Sequence, residues 1–197
     1  MKSADALVKG SPAVDGAGVH LVRVLGPDTV KEFDPVLMLD SFDSTNPPDY
    51  TAGFPMHPHR GIETISYVSS GQMMHRDSLG HSDTISSGEV QWMTAGSGIL
   101  HEELLPAAER LLGVQLWLNL PAKEKMTSPR YHSIKNAEIP EIPPEKAGCS
   151  DFLPGNIRNN PVFQGHIFPL TTMISTSTQE ARLPLPQNRI VLSCSLR

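Results

Sequence analysis

Two short pairs of residues in this sequence carry the side chains of a metal centre. His57 and His59 stand two apart in GFPMHPHRG, and His101 and Glu103 stand two apart in GILHEEL. In an extended strand, residues i and i+2 face the same way, roughly 6.6 Å apart. Each pair therefore presents its two donors side by side: two imidazoles, then one imidazole and one carboxylate. On facing strands the pairs can converge on one cation, offering three nitrogens and one oxygen at about 2.0–2.2 Å. Imidazole plus carboxylate with coordination positions left open is the set used by non-haem iron. Neither pair is specific alone, because solvated histidines in a loop and a polar strand end fit the same residues. Gly61, Gly96 and Gly98 flank the pairs, and close backbone approach inside a narrow barrel requires such small residues.

Other residues compete for roles nearby. Glu63 follows the first pair and is an alternative carboxylate ligand, although a structural partner such as Arg60 suits it better. His75 and His81 are near the pairs in sequence only. His81 follows a turn glycine and reads as a solvated surface histidine, with the mouth of a pocket as the alternative. Trp92 and Trp117 lie in apolar strand patterns and read as core. The Gly96-Ser97-Gly98 run lacks the helix and lysine of a phosphate loop.

The elements that must position these residues read as strands. HLVRVLG ends in a Gly26-Pro27-Asp28 turn, and FDPVLMLDSFD gives way to a loop that Pro47 and Pro48 keep out of any strand. His57 to Val68 alternates, with Ile62, Thr64, Ser66 and Val68 on one face and His57, His59, Glu63, Ile65 and Tyr67 on the other. QMMHRDS, TIS, VQWMTAG, GILHEEL and LLGVQLWLNL follow, separated by glycine-bearing turns. Short strands at this spacing predict an all-β sandwich or barrel. After Leu120, the charged, proline-rich PAKEKMTSPRYHSIKNAEIPEIPPEKAG reads as a connecting segment. The tail holds scattered strand candidates such as Arg189 to Leu192, too little to close a second barrel.

Composition excludes several classes. The 197 residues carry 16 basic and 21 acidic side chains, a formal charge of −5 that gives no field for nucleic acid. No apolar run is long enough to span a bilayer, and the first residues do not read as a secretory leader. The two cysteines, Cys149 and Cys194, are far apart and read as unpaired reduced thiols, which places the expected compartment in the cytoplasm.

GFPMHPHRGIETISYV, GHSDTISSGEVQWMTAGSGILHEE and LGVQLWLNLPAKEKM together resemble the pirin family of the cupin superfamily, from about Val36 to Met126. The resemblance implies a cupin-type barrel of the double-stranded β-helix or jelly-roll kind. It also implies one mononuclear iron held by His57, His59, His101 and Glu103, though other divalent transition metals accept such a set. The expected organisation is a metal-binding domain over 1–135, a linker over 136–150 and an incomplete second cupin-like segment over 151–197. That shortening leads us to expect a less stable protein than a full-length relative. The first functional expectation is a quercetin 2,3-dioxygenase that joins a flavonol and dioxygen, with Glu103 as general base and Ile65, Met93 and Ile99 as a dry wall. The second, from a different class, is an iron-dependent redox-sensing module that binds a protein partner as a transcription cofactor. A truncated, non-catalytic pirin is the third. Direct contact with nucleic acid or membrane is not expected, and the expected state is a monomer.

Overall fold

Alternation of inward and outward side chains organises the described part of the molecule, residues 8–139 of a computed structural model. Of these, Gly10–Ile139 form one compact unit. Cys149, Cys194, the strand expected at Arg189 to Leu192 and the second cupin-like segment lie outside the described residues.

Eleven strands follow one another among the described residues. They are β1 (Ser11–Asp15), β2 (Val19–Leu25), β3 (Val36–Ser44), β4 (Phe54–His59), β5 (Ile62–Ser70) and β6 (Gln72–Asp77), then β7 (Ser82–Ser86), β8 (Val90–Thr94), β9 (Ile99–Leu104), β10 (Leu111–Asn119) and β11 (Arg130–Ile134). One short helix, α1 (Val30–Phe33), precedes β3. A seven-stranded sheet runs β1-β2-β3-β10-β5-β8-β11 and a four-stranded sheet runs β4-β9-β6-β7, with antiparallel pairing throughout. The two sheets are open at their edges, in a cupin-type β architecture. No helix among the described residues is long and apolar enough to cross a membrane.

The inner faces meet in a core. Phe42 and Val68 of the large sheet and Met73 and Ile85 of the small sheet pack in one cluster with Val19, Leu21, Tyr50, Leu105 and Leu111. A second, smaller cluster holds Met93, Ala95 and Ile99, with Ile62 and Tyr131 against it. Some inward positions are polar instead. Asp40, Ser66, His75, Gln91, His101, Glu103 and Gln115 are all buried. Each stands on the inner side of its strand, where simple hydrophobic patterning would place an aliphatic residue.

The structure corrects two readings and adds a strand. His57 to Val68 is not one strand: the chain leaves the small sheet after His59 and enters the large one at Ile62. Gly61 makes the change with φ +69°, in the region that favours glycine. The face shared by the histidines therefore does not continue into Glu63, Ile65 and Tyr67. Thr64, Ser66 and Val68 turn inward instead, each at 1% exposure or less. Arg130–Ile134, placed in a connecting segment by its charge, pairs with β8. Ser11–Asp15 pairs with β2 and extends the sheet.

Gly96 shows how tightly the turns near the site are built. Its φ is +50°, and a Cβ there would strike the carbonyl oxygen of Thr127. Its own carbonyl accepts the Gly61 N–H at 2.8 Å. Gly96→Ala is expected to destabilise the protein by about 1–3 kcal/mol, read as a lower midpoint in thermal or urea unfolding.

Lys135 clamps the far edge through Asp83 at 3.1 Å and Glu89 at 3.6 Å. Burial pulls the Asp83 carboxyl upward, but bonds from Ser133, the Thr84 N–H and Lys135 hold it below its usual range. The Ser86 N–H and Lys135 likewise lower Glu89. Carboxyls lowered on folding add stability above their unfolded pKa and lose it as pH falls through the depressed value. Lys135→Met should therefore separate most from the parent above about pH 5, with the curves converging towards about pH 3. Urea midpoints across that interval check this.

Candidate metal centre

Strand pairing brings the ligand candidates together. In the small sheet His57 faces His101 across β4 and β9, while Phe54 faces Glu103 and His59 faces Ile99. An irregularity in register between Phe54 and His57 adjusts which side chains stand opposite. The ligand nitrogens of His57, His59 and His101 all lie within 4.8 Å of one another. His57 Nε2 is 3.0 Å from His59 Nε2 and 3.0 Å from His101 Nε2.

The donor chemistry fits a cation. His57 Nδ1 lies 2.8 Å from the Pro55 carbonyl, an acceptor only, so that nitrogen carries the proton. In the neutral ring Nε2 is then a bare lone pair aimed at two other ring nitrogens. Two donors at right angles around an ion about 2.1 Å away are about 3.0 Å apart, which matches the observed spacing. Burial lowers His59 to about 4, helped by the nearby His57. Burial also depresses His101, with His57 and His59 adding to the effect. Both rings are therefore neutral and ligand-ready at ordinary pH.

Glu103 stands apart from the three-histidine cluster. It is 1% exposed, and its carboxylate accepts Gln115 Nε2 at 2.9 and 3.1 Å and also the Gln91 side-chain amide. Burial pushes its carboxyl up, against the opposing pull of Gln115, His57 and Gln91. Gln91 and Gln115 come from β8 and β10 of the other sheet, so Glu103 is where the two sheets meet. Sequence reading passed over both glutamines, because a side-chain amide has no diagnostic spacing.

A cavity of about 380 Å³ opens onto this arrangement. His57, Glu103 and Gln115 contribute polar groups, while Met38, Phe54, Met56 and Trp117 supply apolar wall. Trp117 is thus a cavity residue and not simply core. Its Nε1 donates to Gln115 Oε1 at 3.1 Å, and its ring stands edge-on to His59 at 4.9 Å. At the cavity's side Asp40 is tied to Arg23 by bonds of 2.9 and 2.8 Å. Of the expected dry wall, Met93 and Ile99 are buried in the second apolar cluster, and Ile65 lies on the less buried face of β5. None of the three is among the cavity's lining residues. Glu63 accepts the Thr94 hydroxyl at 2.7 Å and is outside the histidine cluster. His75 is not merely a sequence neighbour: it is 1% exposed and hydrogen-bonded to His101. His81 is surface-exposed, as expected, and not part of the cavity's lining.

A family model described as Pirin matches residues 18–118, slightly more than half of the chain. The chain belongs to the pirin family. A Pseudomonas aeruginosa protein described as a candidate quercetin 2,3-dioxygenase is 51% identical over 140 residues, 71% of this chain and 48% of that protein. Human pirin is 44% identical over 137 residues, 69% of this chain and 45% of its own length. The chain spans about half the length of the curated relatives it matches. Among solved structures, a quercetin 2,3-dioxygenase from Acinetobacter baumannii aligns with TM-score 0.62 and 35% identity, covering 72% of this chain and 52% of that one. A bacterial pirin from Escherichia coli, solved with nickel(II), aligns with TM-score 0.51 and 28% identity, covering 66% and 57%. Sequence and structure thus agree on a cupin protein with a three-histidine cluster of metal-ligand geometry.

Removing one imidazole from three leaves too few donors to hold an ion tightly. Metal analysis after dialysis is expected to find one divalent ion per chain in the parent and almost none in His101→Ala.

Proposed function

We propose that this chain is a mononuclear oxygenase of the quercetin 2,3-dioxygenase kind, with iron held by His57, His59, His101 and Glu103. The observation that carries the proposal is the cavity itself. One space brings together His57 of the imidazole cluster, a buried carboxylate and walls of Phe54, Met38, Met56 and Trp117. The names of the Pseudomonas and Acinetobacter relatives support the same substrate class.

Bound iron would supply Lewis acidity towards a flavonol hydroxyl and open positions where that oxygen and dioxygen meet. The protein's part is binding, orientation and proton transfer. Phe54 and Trp117 offer flat apolar surface to a planar polyphenol, and Met38 and Met56 adapt to its edges. Excluding water there strengthens every electrostatic contact inside the cavity. Glu103 takes the hydroxyl proton on a carboxylate oxygen, which lines the cavity where the hydroxyl would enter. Gln91 and Gln115 hold that carboxylate in place before and after the transfer.

Metal-free protein reconstituted with iron in air should consume quercetin, followed by loss of its absorbance together with oxygen uptake. Glu103→Gln should lower kcat by about 100-fold or more, in line with loss of a general base. No turnover with any of iron, manganese, nickel or copper would overturn the oxygenase proposal. Stoichiometric iron without oxygen uptake, with capture of a protein partner that differs between ferric and ferrous forms, would favour the redox-sensing module instead.

A further inference from the structure

We infer that Asp77 and His75 form a tautomer relay that fixes His101 with a bare Nε2, so that Asp77, a residue outside the cavity lining, is a positioning residue for the metal centre. The inference rests on the proposed metal site.

Strand register sets up the relay. Across β6 and β9 Asp77 faces His101 and His75 faces Glu103, so all four side chains share the inner face of the small sheet. His75 Nε2 lies 2.9 Å from Asp77 Oδ2, with both side chains at 0% exposure. A carboxylate accepts only, so His75 carries its proton on Nε2. His75 stacks on Tyr131 at 4.0 Å and 13° with its side chain fully enclosed, an environment that suits the neutral ring. Its Nδ1 is then a lone pair. His101 Nδ1 lies 3.4 Å from that lone pair and so must be the donor. The remaining nitrogen of His101, Nε2, is left bare and points to His57 Nε2. Outer hydrogen bonds that fix a ligand imidazole in this way typically contribute 10–100-fold in metal affinity.

Asp77 is itself held in one orientation. Its Oδ1 accepts the backbone N–H groups of Leu79 at 2.9 Å and His81 at 3.1 Å, and its Oδ2 also meets His81 Nδ1 at 2.8 Å. This makes Asp77→Asn a directed test. Two backbone donors keep the amide oxygen where Oδ1 was, so the amide NH2 replaces Oδ2 and faces His75 Nε2. A donor there drives the His75 proton to Nδ1, which then opposes the Nδ1–H of His101. His101 is pushed to its other tautomer, with a proton on the nitrogen that should face the ion.

Nitrogen-15 NMR of the metal-free protein assigns the tautomers, and competition with a chromogenic chelator for nickel(II) measures affinity. The expected result is His101 protonated on Nδ1 in the parent and on Nε2 in folded Asp77→Asn, with nickel affinity 10–100-fold weaker in the variant. His101 protonated on Nε2 in the metal-free parent overturns the relay, whatever the variant does. A folded variant with unchanged tautomer or unchanged affinity overturns it as well. A parent with the expected tautomer that binds no nickel, iron or manganese refutes the metal site instead, which separates the two failures. His75→Phe, which keeps a ring to stack on Tyr131, supplies the second variant should Asp77→Asn not fold. It removes the Nδ1 acceptor and is expected to weaken nickel binding similarly; unchanged affinity there also overturns the relay.

Discussion

A buried carboxylate has to be surrounded by donors, and most of this fold's polar interior follows from that requirement at Glu103. Its ionised form would be prohibitively unfavourable among aliphatic side chains. The structure answers with two amides from the opposite sheet, Gln91 and Gln115, and with the nearby imidazole cluster. Those amides must themselves stand on inner faces, so β8 and β10 give up apolar positions to supply them. Gln115 Nε2 and Gln91 Nε2 also lie at 3.1 and 3.3 Å from Ser66, and Gln115 accepts Trp117 Nε1. One carboxylate thus dictates a polar layer spanning three strands of the large sheet. That layer adjoins the apolar core, since Gln91 Nε2 also lies 3.3 Å from Met73 Sδ.

The histidines obey a different constraint. All three come from β4 and β9, adjacent strands of one sheet, and pairing register alone brings His57 opposite His101. Their spacing needs no help from the large sheet. What the interior adds is polarity: the Pro55 carbonyl orients His57, and burial keeps His59 and His101 neutral. The ligand cluster is therefore a local property of a two-strand unit, whereas the carboxylate is a property of both sheets together. An ion bound by both would couple them and stabilise the folded state in proportion to its affinity.

This division also explains what could be read from the sequence. The i, i+2 spacing exposes His57 with His59 and His101 with Glu103, because a strand's side-chain period is local. The all-β fold was legible for the same reason, since alternating runs between glycine turns need no knowledge of partners. The break at Gly61 was not, because alternation continues through it while the chain changes sheets. Strand β11 was hidden by charge: RYHSI pairs along an edge, where polar side chains are tolerated. Gln91, Gln115 and Trp117 were missed because their roles arise from long-range pairing. His75 was passed over because its significance lies in register with β9, which sequence distance does not reveal.

The placement of the apolar walls bears on what such a centre can discriminate. Phe54 opens the histidine strand β4 itself, while Met38 and Trp117 come from β3 and β10 of the large sheet. A ligand in the cavity therefore touches both sheets, as Glu103 does. The apolar walls impose shape more than hydrogen-bond pattern. A hydrophobic wall distinguishes ligands weakly, by about 1–3 kcal/mol per methylene, whereas a buried polar group left unpaired discriminates far more strongly. Discrimination in this cavity accordingly falls to its polar lining, His57, Glu103, Gln115 and Asp40, more than to its apolar walls.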